Sequence, residues 1–273
     1  MLFVYGLRAG AVLAARGRLR EAAPLLIRPV NYWRVVEYRE VLRELNATRD
    51  DRSLDIGSPK LLAVYLADTV GAEVFATDLH ERPLRRAVAI ASARGLNSRM
   101  RMEVQDGRML SYPHGWFTRV FSVSVLEHIP ERGDIACAAE IGRVLAPGGR
   151  AALTVPFSPS GGEEYRQRSY YWTEPAGNGA SSGAFYQRRY SESDLRVRII
   201  EPSGLRLCSV RYIGERFPAP PGRELNDYLP AISGPLHPLL SRVFHTPAVE
   251  DWRQLRRPLC AVIVLQRAPL ADQ

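Results

Sequence analysis

Ser53-Leu54-Asp55-Ile56-Gly57-Ser58-Pro59-Lys60 is a short apolar run that ends in an acid, a glycine and a turn. Its first five residues predict a buried strand, because a brief apolar run bounded by turn residues suits the interior of a sheet. Gly57 lets the chain turn sharply and approach a ligand closely. Ser58 is placed to cap the following helix, whose free N–H groups favour a carboxylate. Pro59 suits the first helical position, where no N–H is needed.

Working outward, the same alternation continues. Helix is expected over 59–69, strand over 72–78, helix over 82–94 with Gly95 ending it, and strand over 100–106. Strand follows over 119–125 and helix over 131–145, stopped by Pro147-Gly148-Gly149. Further strands are expected at 150–157, 206–214 and 259–267. Strands that alternate with helices pair in parallel, so the fold class is α/β: a Rossmann-like, doubly wound, mostly parallel sheet. Residues 1–48 form an N-terminal helical cap, with its first break at Pro24 and Pro29. The main domain spans 49–273, with additions at 158–190 and 215–258. The first addition is rich in Gly and aromatic residues and predicts loops and a hairpin; Ser191 caps a helix after it. The second is Pro-rich, with helical pieces.

Three acids fall at three successive strand ends. Asp55 precedes the glycine turn, Asp78 lies 21 residues beyond Gly57, and Asp106 ends the third strand. In open α/β sheets, ligands sit outside the carboxyl ends of the strands, and an acid about 20 residues past the glycine accepts from ribose hydroxyls. Asp106 can accept from an exocyclic amine such as that of adenine. Each acid alone is equally well explained as a helix cap. A pyrophosphate site is disfavoured, since positions 57, 59 and 62 are Gly, Pro and Leu and no P-loop pattern occurs.

Ser53–Ser58, Val74-Phe-Ala-Thr-Asp78, Val104-Gln-Asp106-Gly, Val123-Ser-Val-Leu-Glu-His-Ile-Pro130 and the run from Glu140 to Gly149 together resemble the ordered motifs of class I S-adenosylmethionine-dependent methyltransferases, closest to the broad small-molecule group. The resemblance implies a seven-stranded sheet with an antiparallel last strand, and S-adenosyl-L-methionine as methyl donor. It places Asp55, Gly57 and Ser58 around the methionine part and Asp78, with Leu79, at the ribose. Asp106 and Gly107 meet the adenine, and Ser124 lies near the sulfonium. Two positions depart from the pattern: Pro59 stands where a second Gly is usual, and Phe117-Thr118 where Phe-Asp is common.

A hydroxyl acceptor also needs a base. His128 follows the fourth strand, and an imidazole near pKa 6.5 serves at neutral pH; the plainer expectation is a capping or packing residue of the Leu-Glu-His-Ile segment. His80 and His114 are weaker candidates. Tyr32, Trp33, Tyr171, Trp172 and Tyr186 are the aromatic candidates for acceptor contact, or else the small core of the additions. Arg188 and Arg189 either meet an acidic substrate or face solvent, and solvent is the plainer expectation.

The net charge of +8 with pI 9.7 raises nucleic acid as a partner. Lys60 is the sole lysine, so the charge is nearly all Arg, spread out, as in a chain from a GC-rich genome. Nucleic-acid binders concentrate such charge. Cys137, Cys208 and Cys260 form no metal-spaced set, and with no signal-peptide pattern a bacterial cytoplasmic setting is expected. Residues 1–15, broken by Arg8, are too short to span a bilayer and predict an amphipathic helix. The leading functional expectation is methyl transfer to a small-molecule O, N or C nucleophile. An RNA or DNA methyltransferase and a non-catalytic scaffold that binds the cofactor are the alternatives.

Overall fold

The run that opens at Ser53 is the central strand of the sheet. In the computed structural model, which describes residues 1–166, 184–217, 219 and 225–269, β1 (Arg52–Ile56) pairs in parallel with β2 (Glu73–Asp78) on one side and β4 (Phe117–Val123) on the other. β3 (Met100–Val104) lies outside β2, and β5 (Leu145–Pro156) outside β4. The chain then returns to add β8 (Arg206–Gly214) and β9 (Pro258–Gln266), giving the order β3-β2-β1-β4-β5-β9-β8 with β9 antiparallel to both neighbours. This is the expected seven-stranded sheet. Its direction of winding reverses between β1 and β4, which opens a crevice at their carboxyl ends.

Both faces are covered. Alternate residues of a strand point to opposite faces, so Val74 and Ala76 join one core with α1 (Leu2–Ala15), α4 (Leu61–Tyr65) and α5 (Glu81–Arg94), while Phe75 joins the other, with α6 (Gly133–Val144). α3 (Tyr32–Leu45) adds Tyr38, Val41 and Leu45 to the first core, and Asn31 caps it by accepting from the Arg34 N–H at 2.8 Å.

Several boundaries differ from those the sequence suggests. The first break in the cap falls at Gly17, whose φ is +74°, and Pro24 sits inside α2 (Leu19–Ile27). A proline there costs one intrahelical bond, but Ala22 and Leu25 on the same helix are buried and hold it in place. The helix after β1 starts at Leu61 rather than Pro59 and passes at Leu66 into a wide turn that ends at Gly71. β5 begins already at Leu145 and runs through Gly148, whose φ of +75° accompanies a register shift opposite Phe117 and Arg119.

The first addition contains the expected hairpin, β6 (Gly162–Arg166) against β7 (Ala184–Arg189). After it, α7 (Glu192–Asp194) starts in a capping box at Ser191 and continues through a wide turn into α8 (Glu201–Ser203). Arg188 does not face solvent. It is buried, and its guanidinium donates to Asp134 at 3.0 Å, to Glu163 at 2.9 Å and to the Glu131 carbonyl at 3.0 Å. Asp134, fully buried on α6, also accepts from Tyr190 at 2.9 Å and Arg198 at 2.7 Å, and so ties the hairpin to the body. From the second addition, α9 (His237–Phe244) packs on α3. Among the described residues no helix is long and apolar enough to cross a membrane, and no cluster of His, Cys, Asp or Glu could hold a metal.

Candidate active site

The carboxyl end of β1 is a tightly bonded turn. Gly57 adopts φ +67°, and a Cβ there would lie 2.6 Å from Val125 Cγ1. Substitution by alanine combines a left-handed backbone with a clash, so Gly57→Ala should lower stability by about 1–3 kcal/mol, read as a shift of the urea midpoint. A midpoint equal to wild type would mean that the turn has another conformation. Ser58 does not cap the helix. Its hydroxyl accepts from the Val123 N–H at 2.9 Å and pins the turn to β4, and the Pro59 carbonyl accepts from Tyr38 on α3 at 3.1 Å.

Asp55 is fully enclosed. Its Oδ1 accepts from the Ser58 N–H at 3.1 Å and its Oδ2 from the Lys60 ammonium at 3.0 Å. Burial pushes its carboxyl above the usual range, opposed by the Lys60 charge and the bonds from Ser58 and Lys60. Lys60 also donates to the Thr77 carbonyl at 2.6 Å and lies 3.8 Å from Asp78 Oδ2. Asp78 and Leu79 are half-buried at the end of β2, and Asp78 accepts from the His80 N–H at 3.1 Å. Asp106 stands two residues beyond β3, where Arg108 chelates its carboxylate at 2.7–3.0 Å and holds it below the usual range. Gly107 is needed for packing, since a Cβ there would meet Ile56 at 3.0 Å and Cys137 at 3.2 Å.

Beside these acids, past the end of β4, lies a cavity of about 300 Å³ whose wall includes Ser124, Glu127 and His128. That volume is at the small end of ligand sites. Ser124 is a non-glycine residue at φ +50°, a strained geometry that turns its hydroxyl onto Glu37 at 2.6 Å. Glu37, buried on α3, accepts from Thr154 at 2.7 Å as well and pairs with Arg34 through its other oxygen. The sequence reading missed both Glu37 and Glu127. Glu127 is about 1% exposed, Oε2 has no hydrogen-bond partner among the described residues, and burial pushes its carboxyl up to about 8. An acid beside the favoured His128 was the available signal.

His128 lies in this wall with Nδ1 2.8 Å from the Tyr186 carbonyl, which requires the proton of the neutral ring on Nδ1. Nε2 is 3.8 Å from Glu127 Oε1. Burial drives the imidazole down to about 4, far from the expected 6.5. Trp33 and Tyr186 line the cavity. Tyr32 does not: it is fully buried, stacked on His245 at 4.1 Å. Tyr171 and Trp172 lie outside the described residues.

Residues 54–149 match the family model of a methyltransferase domain. The chain carries a methyltransferase domain over these residues. It is 33% identical over 89 residues to a probable chloroplastic tocopherol O-methyltransferase of Oryza sativa subsp. japonica, covering 33% of this chain and 24% of that protein. It is 34% identical over 123 residues to the 27-O-demethylrifamycin SV methyltransferase of Amycolatopsis mediterranei, covering 43% and 44%. The chain thus matches less than half of the length of these curated relatives. The fold of the methyltransferase domain is shared with geranyl diphosphate C-methyltransferase from Streptomyces coelicolor A3(2), solved with Mg2+, geranyl diphosphate and S-adenosyl-L-homocysteine: TM-score 0.55, 12% identity, covering 86% of this chain and 78% of that one.

Proposed function

We propose that this chain transfers the methyl group of S-adenosyl-L-methionine to a small polar acceptor held in the cavity beside Ser124. The observation that carries this reading is the adjacency of two parts. A row of acids stands at the ends of β1, β2 and β3, and a partly open cavity lined by ionisable side chains lies past the end of the neighbouring β4.

The cofactor fits this row in its adenosine half. Asp78 keeps a partly open carboxylate with Oδ1 already oriented by the His80 N–H, as ribose recognition needs, and Asp106 lies at the adenine end with its charge fixed by Arg108. At the methionine end Lys60 stands between Asp55 and Asp78. When bound, the cofactor supplies a sulfonium with a good leaving group. The task left to the protein is to align the acceptor, exclude water and take a proton.

Glu127 and His128 are the groups placed for that last step. With its carboxyl near 8, Glu127 holds a proton at neutral pH and becomes a base as pH rises. His128 stays neutral above about pH 4 and contributes no limb near 6.5. Turnover should therefore climb toward pH 8, and Glu127→Gln should abolish the climb. A wild-type profile with a single inflection near 6.5 would return the role to His128. Arg34, Glu37, Arg166 and Arg189 also line the cavity, which favours a polar acceptor over a long hydrocarbon.

The cofactor claim is tested by calorimetry with S-adenosyl-L-homocysteine on the full chain. Asp78→Ala should weaken binding by about a hundredfold or more, the loss of two charge-assisted hydrogen bonds. Unchanged binding in that variant would remove Asp78 from the site.

A further inference from the structure

The first three residues of the turn after β1 offer no N–H to the carboxylate of an amino acid. The Gly57 N–H is spent on the Thr77 carbonyl at 3.0 Å and the Ser58 N–H on Asp55 Oδ1 at 3.1 Å. Pro59 has no N–H. The following helix, α4, is five residues long with no side-chain cap. Yet the same turn carries the sole lysine of the chain, buried and held by Asp55 and the Thr77 carbonyl with Asp78 Oδ2 nearby.

We infer that Lys60 is the carboxylate-binding group of the cofactor site, a side-chain donor that replaces the backbone donors lost at Gly57, Ser58 and Pro59. The inference rests on the cofactor reading above. Asp55 and Lys60 neutralise one another, so the pair leaves Asp78 as the acid that faces the ribose. An ammonium has three N–H groups. Two are held by Asp55 and Thr77, and the contact to Asp78 at 3.8 Å is longer than a hydrogen bond. The third N–H is left for a further acceptor at the carboxyl ends of β1 and β2, and an incoming carboxylate completes the set. Asp55 is then a positioning residue, aiming the ammonium rather than touching the cofactor.

Two ligands separate this from a purely structural ion pair: S-adenosyl-L-homocysteine, and S-adenosyl-3-thiopropylamine, which has the same nucleoside thioether and amine but no carboxylate. By calorimetry the wild-type chain should prefer the first by about tenfold to a hundredfold, the range of one charge-assisted hydrogen bond. The paired variant Asp55→Asn with Lys60→Met removes both buried charges together, so neither is left uncompensated. It should lose the preference while binding the amine ligand within about threefold of wild type. Equal wild-type affinities, or a paired variant that keeps the preference or binds the carboxylate ligand more tightly, would overturn the assignment. If the paired variant does not fold, the wild-type protein decides. Labelled with 15N-lysine it gives one side-chain ammonium signal, which should move with S-adenosyl-L-homocysteine and stay in place with the amine ligand; the reverse overturns the assignment. A wild-type chain that binds neither ligand refutes the cofactor reading itself, and this inference with it.

Discussion

Asp134→Ala is expected to lower the stability of the chain by about 4–5 kcal/mol, the upper end of what removing one partner of a buried ion pair costs. The carboxylate is fully enclosed, and it answers two guanidiniums and a phenol: Arg188, Arg198 and Tyr190. Deleting it leaves Arg188 buried with Glu163 and two carbonyls as its remaining partners. The damage should concentrate in β7, which carries Tyr186 and Arg189 into the cavity wall. Urea unfolding gives the stability change, and amide exchange over 184–190 shows where it falls. A loss under 1 kcal/mol would mean that the cluster is a solvated surface network rather than a buried one.

Glu37→Ala should cost about 3 kcal/mol, lower in the same range because Arg34 keeps some exposure. Here the consequence for function is more direct. Glu37 accepts from Ser124 and Thr154 and pairs with Arg34, so it fastens α3 to the ends of β4 and β5 at the mouth of the crevice. Without it, Ser124 loses the bond that accompanies its left-handed backbone. Glu37→Gln keeps an acceptor for the hydroxyls and should recover roughly half of the stability. If alanine and glutamine variants unfold at the same urea concentration, hydrogen bonding to Ser124 and Thr154 contributes nothing measurable.

The contrast between these two acids and the strand-end acids explains what the sequence could disclose. Asp55, Asp78 and Asp106 announce themselves through local pattern, each at or just past the end of an expected strand, and the parallel sheet follows from the alternation of elements. Glu37 and Asp134 act over 117 and 54 residues of sequence. Nothing in their neighbours distinguishes them from the solvated carboxylates of any helix, and only the closed sheet brings their partners within reach. Arg188 was misplaced for the same reason. Tyr32 and Trp33 both touch the His245 ring just past α9, but adjacent helical residues point about 100° apart, so Trp33 reaches the wall of the cavity while Tyr32 is fully buried. Pro24 shows tertiary burial overriding a local breaker. His128 was legible as a position but not as an acid–base group, since its low pKa comes from burial that the finished fold imposes.

The position of the sole lysine has a practical consequence for the chemistry of the polypeptide surface. Acylating reagents, amine cross-linkers and enzymes that modify lysine find no exposed ε-amine among these residues, because Lys60 lies with about 6% of its surface open, bonded to Asp55 and Thr77. Any acylation recovered at residue 60 must have come through the cofactor site at the carboxyl ends of the strands or through a local opening of the β1 turn. Protection of that one amine by bound cofactor therefore tells the two routes apart.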